Sequence, residues 1–173
     1  MSHEITKENI DEILKDLGKE FRKQNGTRQK AELIIVGGAS VVLNYGFRNS
    51  TEDIDAYMHT SSAMADAVSI VGDKYDLPPK WLNSEFTRTE SFSPKIEQYS
   101  QYYRTFSNVL EVRTIEREYL VAMKLKSFRD YKTDKSDIVG IMRESGTTKE
   151  AVMRAFEHCL AAHSPSKQLF RRC

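Results

Sequence analysis

Residues 33–58 decide the fold: Leu33-Ile34-Ile35-Val36-Gly37-Gly38-Ala39-Ser40, then twelve residues to Glu52, then Asp53-Ile54-Asp55-Ala56-Tyr57-Met58. Leu33–Val36 is a continuous apolar run rich in β-branched side chains, the pattern of a strand buried on both faces. Gly37-Gly38 ends it, and Ala39–Tyr45 predicts a short helix closed by Gly46. Phe47–Thr51 reads as a polar loop. In Glu52–Met58, Asp53, Asp55 and Tyr57 alternate with Ile54, Ala56 and Met58, the two-residue period of a strand.

The same residues carry chemistry. Glycines let backbone amides approach a ligand closely. A helix starting at that corner turns its free N–H groups and positive dipole end to the same point, and Ser40 adds a hydroxyl. Such a corner suits a phosphate. Asp53 and Asp55 lie two residues apart on a strand, so both carboxylates point to one side. Like charges held that close repel unless a cation lies between them. Hard oxygen ligands favour Mg²⁺ or Mn²⁺, with phosphate oxygens completing the coordination. Alone, Gly-Gly after a strand is more often a turn, and Asp-x-Asp more often a solvated strand face. Their conjunction, with Arg48 and Ser50-Thr51 just before the acidic pair, points to phosphoryl or nucleotidyl transfer.

Working outward, Ile10, Ile13, Leu14, Leu17 and Phe21 recur on one helical face, with Thr6 as the expected cap and Asn25-Gly26 as the stop. Ser61 or Ser62 caps a helix to about Tyr75, ended by Asp76-Leu77-Pro78-Pro79. Residues 80–100 scatter Trp81, Phe86 and Phe92 through a polar stretch without a period. Tyr99, Tyr102, Tyr103 and Phe106 form an aromatic cluster that fills the core, covers a sheet edge, or stacks on a base. Val109–Ile115 predicts a strand. Glu118–Tyr131, Asp134–Glu144 and a segment opened by the capping-box sequence Thr147-Thr148-Lys149-Glu150 and reaching about His163 predict three helices. This order predicts an α/β (α+β) core with a helical C-terminal layer. The expected division is a core over 1–115, a helical segment packed on it over 116–163, and a mobile basic tail over 164–173.

Composition excludes several classes. The 173 residues hold 26 Lys+Arg against 25 Asp+Glu, a net charge of +1 that gives no global steering toward nucleic acid. At 39% hydrophobic the chain is not a disordered one, and no run approaches the ~18 apolar residues of a membrane span. Cys159 and Cys173 make neither a disulfide framework nor a zinc site by themselves. His3, His59, His158 and His163 lie in no metal-ligand spacing. The N-terminal segment lacks the basic and apolar regions of a signal peptide, so a reduced, cytoplasmic protein is expected.

Val36-Gly37-Gly38-Ala39-Ser40 followed by Asp53-Ile54-Asp55 resembles the motif of the nucleotidyltransferase superfamily, which has the fold of DNA polymerase beta. Arg48-Asn49-Ser50-Thr51-Glu52-Asp53-Ile54-Asp55 looks like the R-x-S-T-x-D-I-D stretch of the branch that includes the DUF6036 proteins and the AbiEii-type toxins of toxin–antitoxin systems. Leu120-Val121-Ala122-Met123-Lys124-Leu125, followed by Arg129, Asp134 and Asp137, is similar to that branch's helical L-x-A-M-K-L…R…D…D stretch. The likeness covers residues 30–145. It implies a mixed sheet flanked by helices, and metal-dependent transfer of a nucleoside monophosphate from a nucleoside triphosphate such as ATP. The acceptor is an RNA, a protein or a small molecule.

On this likeness, Asp53 and Asp55 hold two Mg²⁺ ions, and Gly37, Gly38 and Ser40 meet the triphosphate, with Arg48 and Thr51 beside it. Lys124 either reaches the triphosphate or faces solvent on an amphipathic helix. The superfamily places a third carboxylate on a neighbouring strand. With Val109–Ile115 as that strand, Glu111 is the candidate, as metal ligand or base. Arg129, Asp134 and Asp137 are expected to form an ion-pair network between the C-terminal helices. An antitoxin or other protein partner is implied, and no membrane. The alternative is a catalytically degenerate nucleotide- or partner-binding protein on the same scaffold.

Overall fold

Leu33, Ile34 and Ile35 are fully buried because their strand runs through the middle of a sheet covered on both faces. The computed structural model describes residues 4–127 and 133–161. Its elements, in chain order, are Ile5–Thr6 (β1), Ile10–Asn25 (α1), Ala31–Ile35 (β2), Gly37–Asn44 (α2), Ser50–Thr51 (β3), Ile54–Met58 (β4), Ser62–Tyr75 (α3), Leu82–Asn83 (β5), Ser100–Phe106 (β6), Leu110–Ile115 (β7), Arg117–Lys126 (α4), Asp134–Ser145 (α5) and Lys149–Ala161 (α6). Short 3₁₀ turns cover Glu85–Arg88 and Ile96–Tyr99.

The main sheet has the order β5-β4-β2-β7-β6. β4 runs antiparallel to β2 and parallel to β5, while β7 runs parallel to β2 and antiparallel to β6. Alternate residues therefore feed two cores. On one face Leu33, Ile35, Ile54, Ala56, Leu110 and Val112 pack against the apolar stripe of α1 and against α3. On the other, Ile34, Val36 and Ile115 pack against Leu120 and Val121 of α4, Ile141 of α5 and Val152 and Ala155 of α6. The mixed α/β sheet with a helical C-terminal layer agrees with the expected class.

Several boundaries differ. Thr6 does not cap α1: Ile5 is fully buried, and Ile5–Thr6 pairs with Ser50–Thr51, which takes the segment out of the helix. Asn9 precedes the helix instead, and its Oδ1 accepts from the Thr6 amide at 2.7 Å. α2 begins on the glycines rather than after them. The aromatic run Ser100–Phe106 is an edge strand, with Phe106 against Gly18 of α1 and Tyr103 donating to Asp11 at 2.7 Å. Tyr99 stacks on Tyr119 at 3.7 Å between ring centroids, and the Tyr119 hydroxyl meets His158 Nδ1 at 2.8 Å. These rings are structural, except that Tyr102 is exposed. Ser61 caps α3 by accepting from the Met64 amide. Thr148, not Thr147, caps α6, accepting from the Ala151 amide at 3.2 Å. The expectations for His3, Arg129, Tyr131, His163 and the tail over 164–173 lie outside the described residues. Among the described residues, no helix is long and apolar enough to cross a membrane.

Candidate active site

β2 delivers the chain to the glycine corner, and the corner is tied at once to the acidic strand. The Val36 amide donates to the Asp55 carbonyl at 2.9 Å. Gly37 has φ +61°, which only glycine adopts without strain, and a Cβ there would lie 3.2 Å from Asp55 Oδ2. The start of α2 and the Asp55 carboxylate thus share one small volume. Thr51 Oγ1 donates to the Asp53 carbonyl at 3.1 Å and fixes the turn into β4.

Asp53 and Asp55 line two cavities, of ≈ 730 and ≈ 830 Å³, which share Gly37, Asp53, Asp55, Lys124 and Asp134. The smaller has an apolar floor of Val36, Phe86, Leu120 and Met123, with Asn83, Arg88, Ser91 and Ser127 around it. The larger is polar, lined by Gly38, Arg48, Ser50, Thr51, Thr133 and Ser136. It also holds six carboxylates, of Glu4, Glu52, Asp53, Asp55, Asp134 and Asp137, against the two cations Arg48 and Lys124. That surplus would repel a bare polyphosphate.

Both cations are committed to α5. Lys124 is buried, with Nζ 3.0 Å from Asp134 Oδ1 and 2.8 Å from Asp137 Oδ2. Arg48 donates from Nε to the Ser50 carbonyl at 3.0 Å. From Nη1 it donates to Thr133 Oγ1 at 3.0 Å and to Asp137 Oδ2 at 2.5 Å. The loop around Arg48 is docked on the same helix: the Gly46 amide donates to Glu144 at 3.0 Å, and the Phe47 ring fills the space a Cβ on Gly140 would take. Thr133, Asp137, Gly140 and Glu144 recur at the spacing of one helical stripe.

The expected residues are therefore gathered unequally. Gly37, Gly38, Arg48, Thr51, Asp53, Asp55 and Lys124 come together. Ser40 does not: it is fully buried inside α2, with the Asn44 amide on its carbonyl at 2.9 Å. Glu111 does not either. The expectation that Val109–Ile115 borders the acidic pair is corrected by the sheet order, since β7 pairs with β2 and not with β4. Glu111 sits opposite Glu32, four residues before Val36, or roughly 13 Å down the sheet. It pairs there with Arg113 at 3.2 Å, and burial pushes the neighbouring Glu32 carboxyl up, with Arg113 opposing and Glu111 adding. The residue beside Asp55 on the neighbouring strand is Asn83, whose amide reaches Asp53 Oδ2 at 3.4 Å. Sequence reading missed Asn83 because its strand is two residues long. Asp134 and Asp137 link α5 to α4 through Lys124, whereas Arg129, the cation expected in that network, lies outside the described residues. The tie from Asp137 to Arg48 was not foreseen, although the stripe on α5 was a usable signal.

The donor set fits a hard divalent cation. Among the described residues, no three acidic, histidine or cysteine side chains form a complete metal cage. Mg²⁺, however, is commonly held by one or two carboxylates together with substrate phosphates and water. Asp53 and Asp55 offer that pair in a cavity with a carboxylate surplus.

The model of a family described as nucleotidyltransferase of unknown function (DUF6036) matches residues 12–152. The chain belongs to this family. The match spans the main sheet, α5 and the lining of both cavities apart from Glu4, so Asp53, Asp55, Gly37, Gly38, Arg48 and Lys124 lie inside the family's shared region. No curated protein and no solved structure matches this DUF6036 chain.

Proposed function

We propose that this DUF6036 protein is a metal-dependent nucleotidyltransferase that moves a nucleoside monophosphate from a nucleoside triphosphate to an acceptor. The observation that carries the reading is the convergence of Asp53, Asp55, the Gly37-Gly38 helix start and Arg48 on one polar cavity. The triphosphate belongs in that cavity, where hydroxyls and a guanidinium line the wall. The nucleoside or the acceptor belongs across the carboxylates, over the apolar floor of Phe86, Leu120 and Met123.

Asp53 and Asp55 hold Mg²⁺ or Mn²⁺, which when bound supplies charge neutralisation at the phosphoryl group. The chain's own contribution is position. The α2 amides and Arg48 face the phosphates, Thr51 fixes the backbone that carries Asp53, and Gly37 keeps the approach to Asp55 open. The test is Mn²⁺ binding followed by electron paramagnetic resonance, in the presence of a nucleoside triphosphate. Asp53→Asn and Asp55→Asn should each lose the bound-ion signal with unchanged melting, and unaltered binding in both variants sinks the two-carboxylate reading. The reading extends to a toxin of a toxin–antitoxin pair, for which growth arrest on expression, relieved by Asp55→Asn, is the readout.

Asn83 favours a second reading. A carboxamide beside Asp55, with Glu111 remote, suits a scaffold that binds nucleotide without turnover. Nucleotide binding with no pyrophosphate release and no labelled product selects it.

A further inference from the structure

Arg48 spends its guanidinium unevenly. Nε and Nη1 are taken by Ser50, Thr133 and Asp137, whereas Nη2 has no hydrogen bond among the described residues. Nη2 lies over the first turn of α2, only 2.7 Å from where a Cβ on Gly38 would sit. That places two unspent N–H donors at the helix start, inside the polar cavity. A long, flexible side chain does not adopt such an aim unaided, because holding it costs rotamer entropy. Here the aim is imposed from α5. The Asp137 side chain is 3% exposed, and its Oδ2 accepts from both Arg48 Nη1 and Lys124 Nζ. Buried charge pairs hold their geometry far better than surface ones, since losing a partner strands the other charge.

We propose that Asp137 is a positioning residue, locking the Arg48 fork so that Nη2 is presented to an oxygen of a polyphosphate at the start of α2. This rests on reading the polar cavity as the polyphosphate site. Lys124 serves the same lock from the other side, neutralising Asp137 and Asp134 rather than meeting the phosphates itself. The guanidinium is required because three bonds in fixed directions must be made while a fourth direction stays open, and a lysine ammonium at position 48 offers no such fork.

The test uses inorganic tripolyphosphate with Mg²⁺, which carries the anion but no nucleoside to transfer, and isothermal titration on the full chain. Asp137→Ala should weaken binding roughly 10- to 100-fold, the worth of one charge-assisted hydrogen bond. Placed on an Arg48→Lys background, the same change should cost less than about twofold, because the donor it aims is already gone. Asp137→Asn keeps an acceptor for Nη1 and should recover part of the affinity. If Asp137→Ala does not fold, Asp137→Asn on the two backgrounds carries the same comparison. Equal losses on both backgrounds, an unchanged affinity in Asp137→Ala, or no tripolyphosphate binding by the parent protein would each overturn the proposal. The predicted pattern stands as support even where no nucleotide transfer is detected, so failure of the transferase reading remains separate.

Discussion

Replacing Lys124 with methionine removes one charge from the most buried ionic cluster among the described residues. The three side chains are 7%, 4% and 3% exposed for Lys124, Asp134 and Asp137, so water cannot take over the lost contacts without opening α4 from α5. Breaking a buried ion pair by removing one partner costs about 3–5 kcal/mol. The lower end applies here, because Asp137 keeps Arg48 and Asp134 has a further interaction of its own. A loss of about 3 kcal/mol in a chain of this length lowers Tm by about 6–12 °C. The assay is thermal melting by circular dichroism, with Lys135→Met as the control: Lys135 is exposed on α5, and its replacement should stay within about 0.5 kcal/mol of the parent. A fall of less than ~2 °C in Lys124→Met would mean that the two carboxylates are already solvated, and that the lock described between α4, α5 and Arg48 is not buried.

Three further perturbations test separate parts of the account. Gly38→Ala places a methyl 2.7 Å from Arg48 Nη2 and 2.8 Å from Thr51 Oγ1, so it should cut tripolyphosphate affinity roughly tenfold, read by titration, with little change in melting. Glu111→Gln, remote from both cavities, should leave turnover within about twofold of the parent, whereas a general base would be worth roughly 10²–10⁴. At Asp16, burial pushes the carboxyl up, but hydrogen bonds from Lys19, Lys74 and Tyr75 outweigh it and hold the group below the usual carboxylate range. The folded state therefore binds that proton less readily than the unfolded chain. The stabilisation is present above about pH 4 and fades as pH falls further. Urea unfolding should show Asp16→Asn about 1–3 kcal/mol less stable than the parent at neutral pH, with the gap narrowing in acid.

What was legible in the sequence follows from how local each signal is. The strand, glycine corner, α2 and acidic strand were readable because burial, period and turn chemistry act over a few residues; the acidic strand carries Asp55, and Asp53 lies in the turn just before it rather than on it. The partner of that strand was not. Strand order depends on which crossover packs best on the sheet, and β7 joins β2 through a parallel pairing that places Glu111 far from the acids. Asn83 reaches the site through a two-residue strand, too short to show a period. Ser40 has the chemistry of a ligand and the position of a core residue, since the third residue past Gly37 in α2 turns inward. The Arg48–Asp137 bond joins residues 89 positions apart, and no local rule pairs them. Only the repeat of Thr133, Asp137, Gly140 and Glu144 hinted that α5 serves as a template for the loop before the acidic pair.

The most direct measurement of the central claim is transfer itself: the parent protein, Asp53→Asn and Asp55→Asn, each incubated with Mg²⁺ and nucleoside triphosphates labelled at the α-phosphorus in the presence of RNA, protein and small-molecule fractions. The parent should release pyrophosphate and label one acceptor fraction, and the two variants should do neither, all three melting alike. Label transfer that persists in both variants would contradict the claim, because Asp53 and Asp55 would then not be the residues that hold the metal.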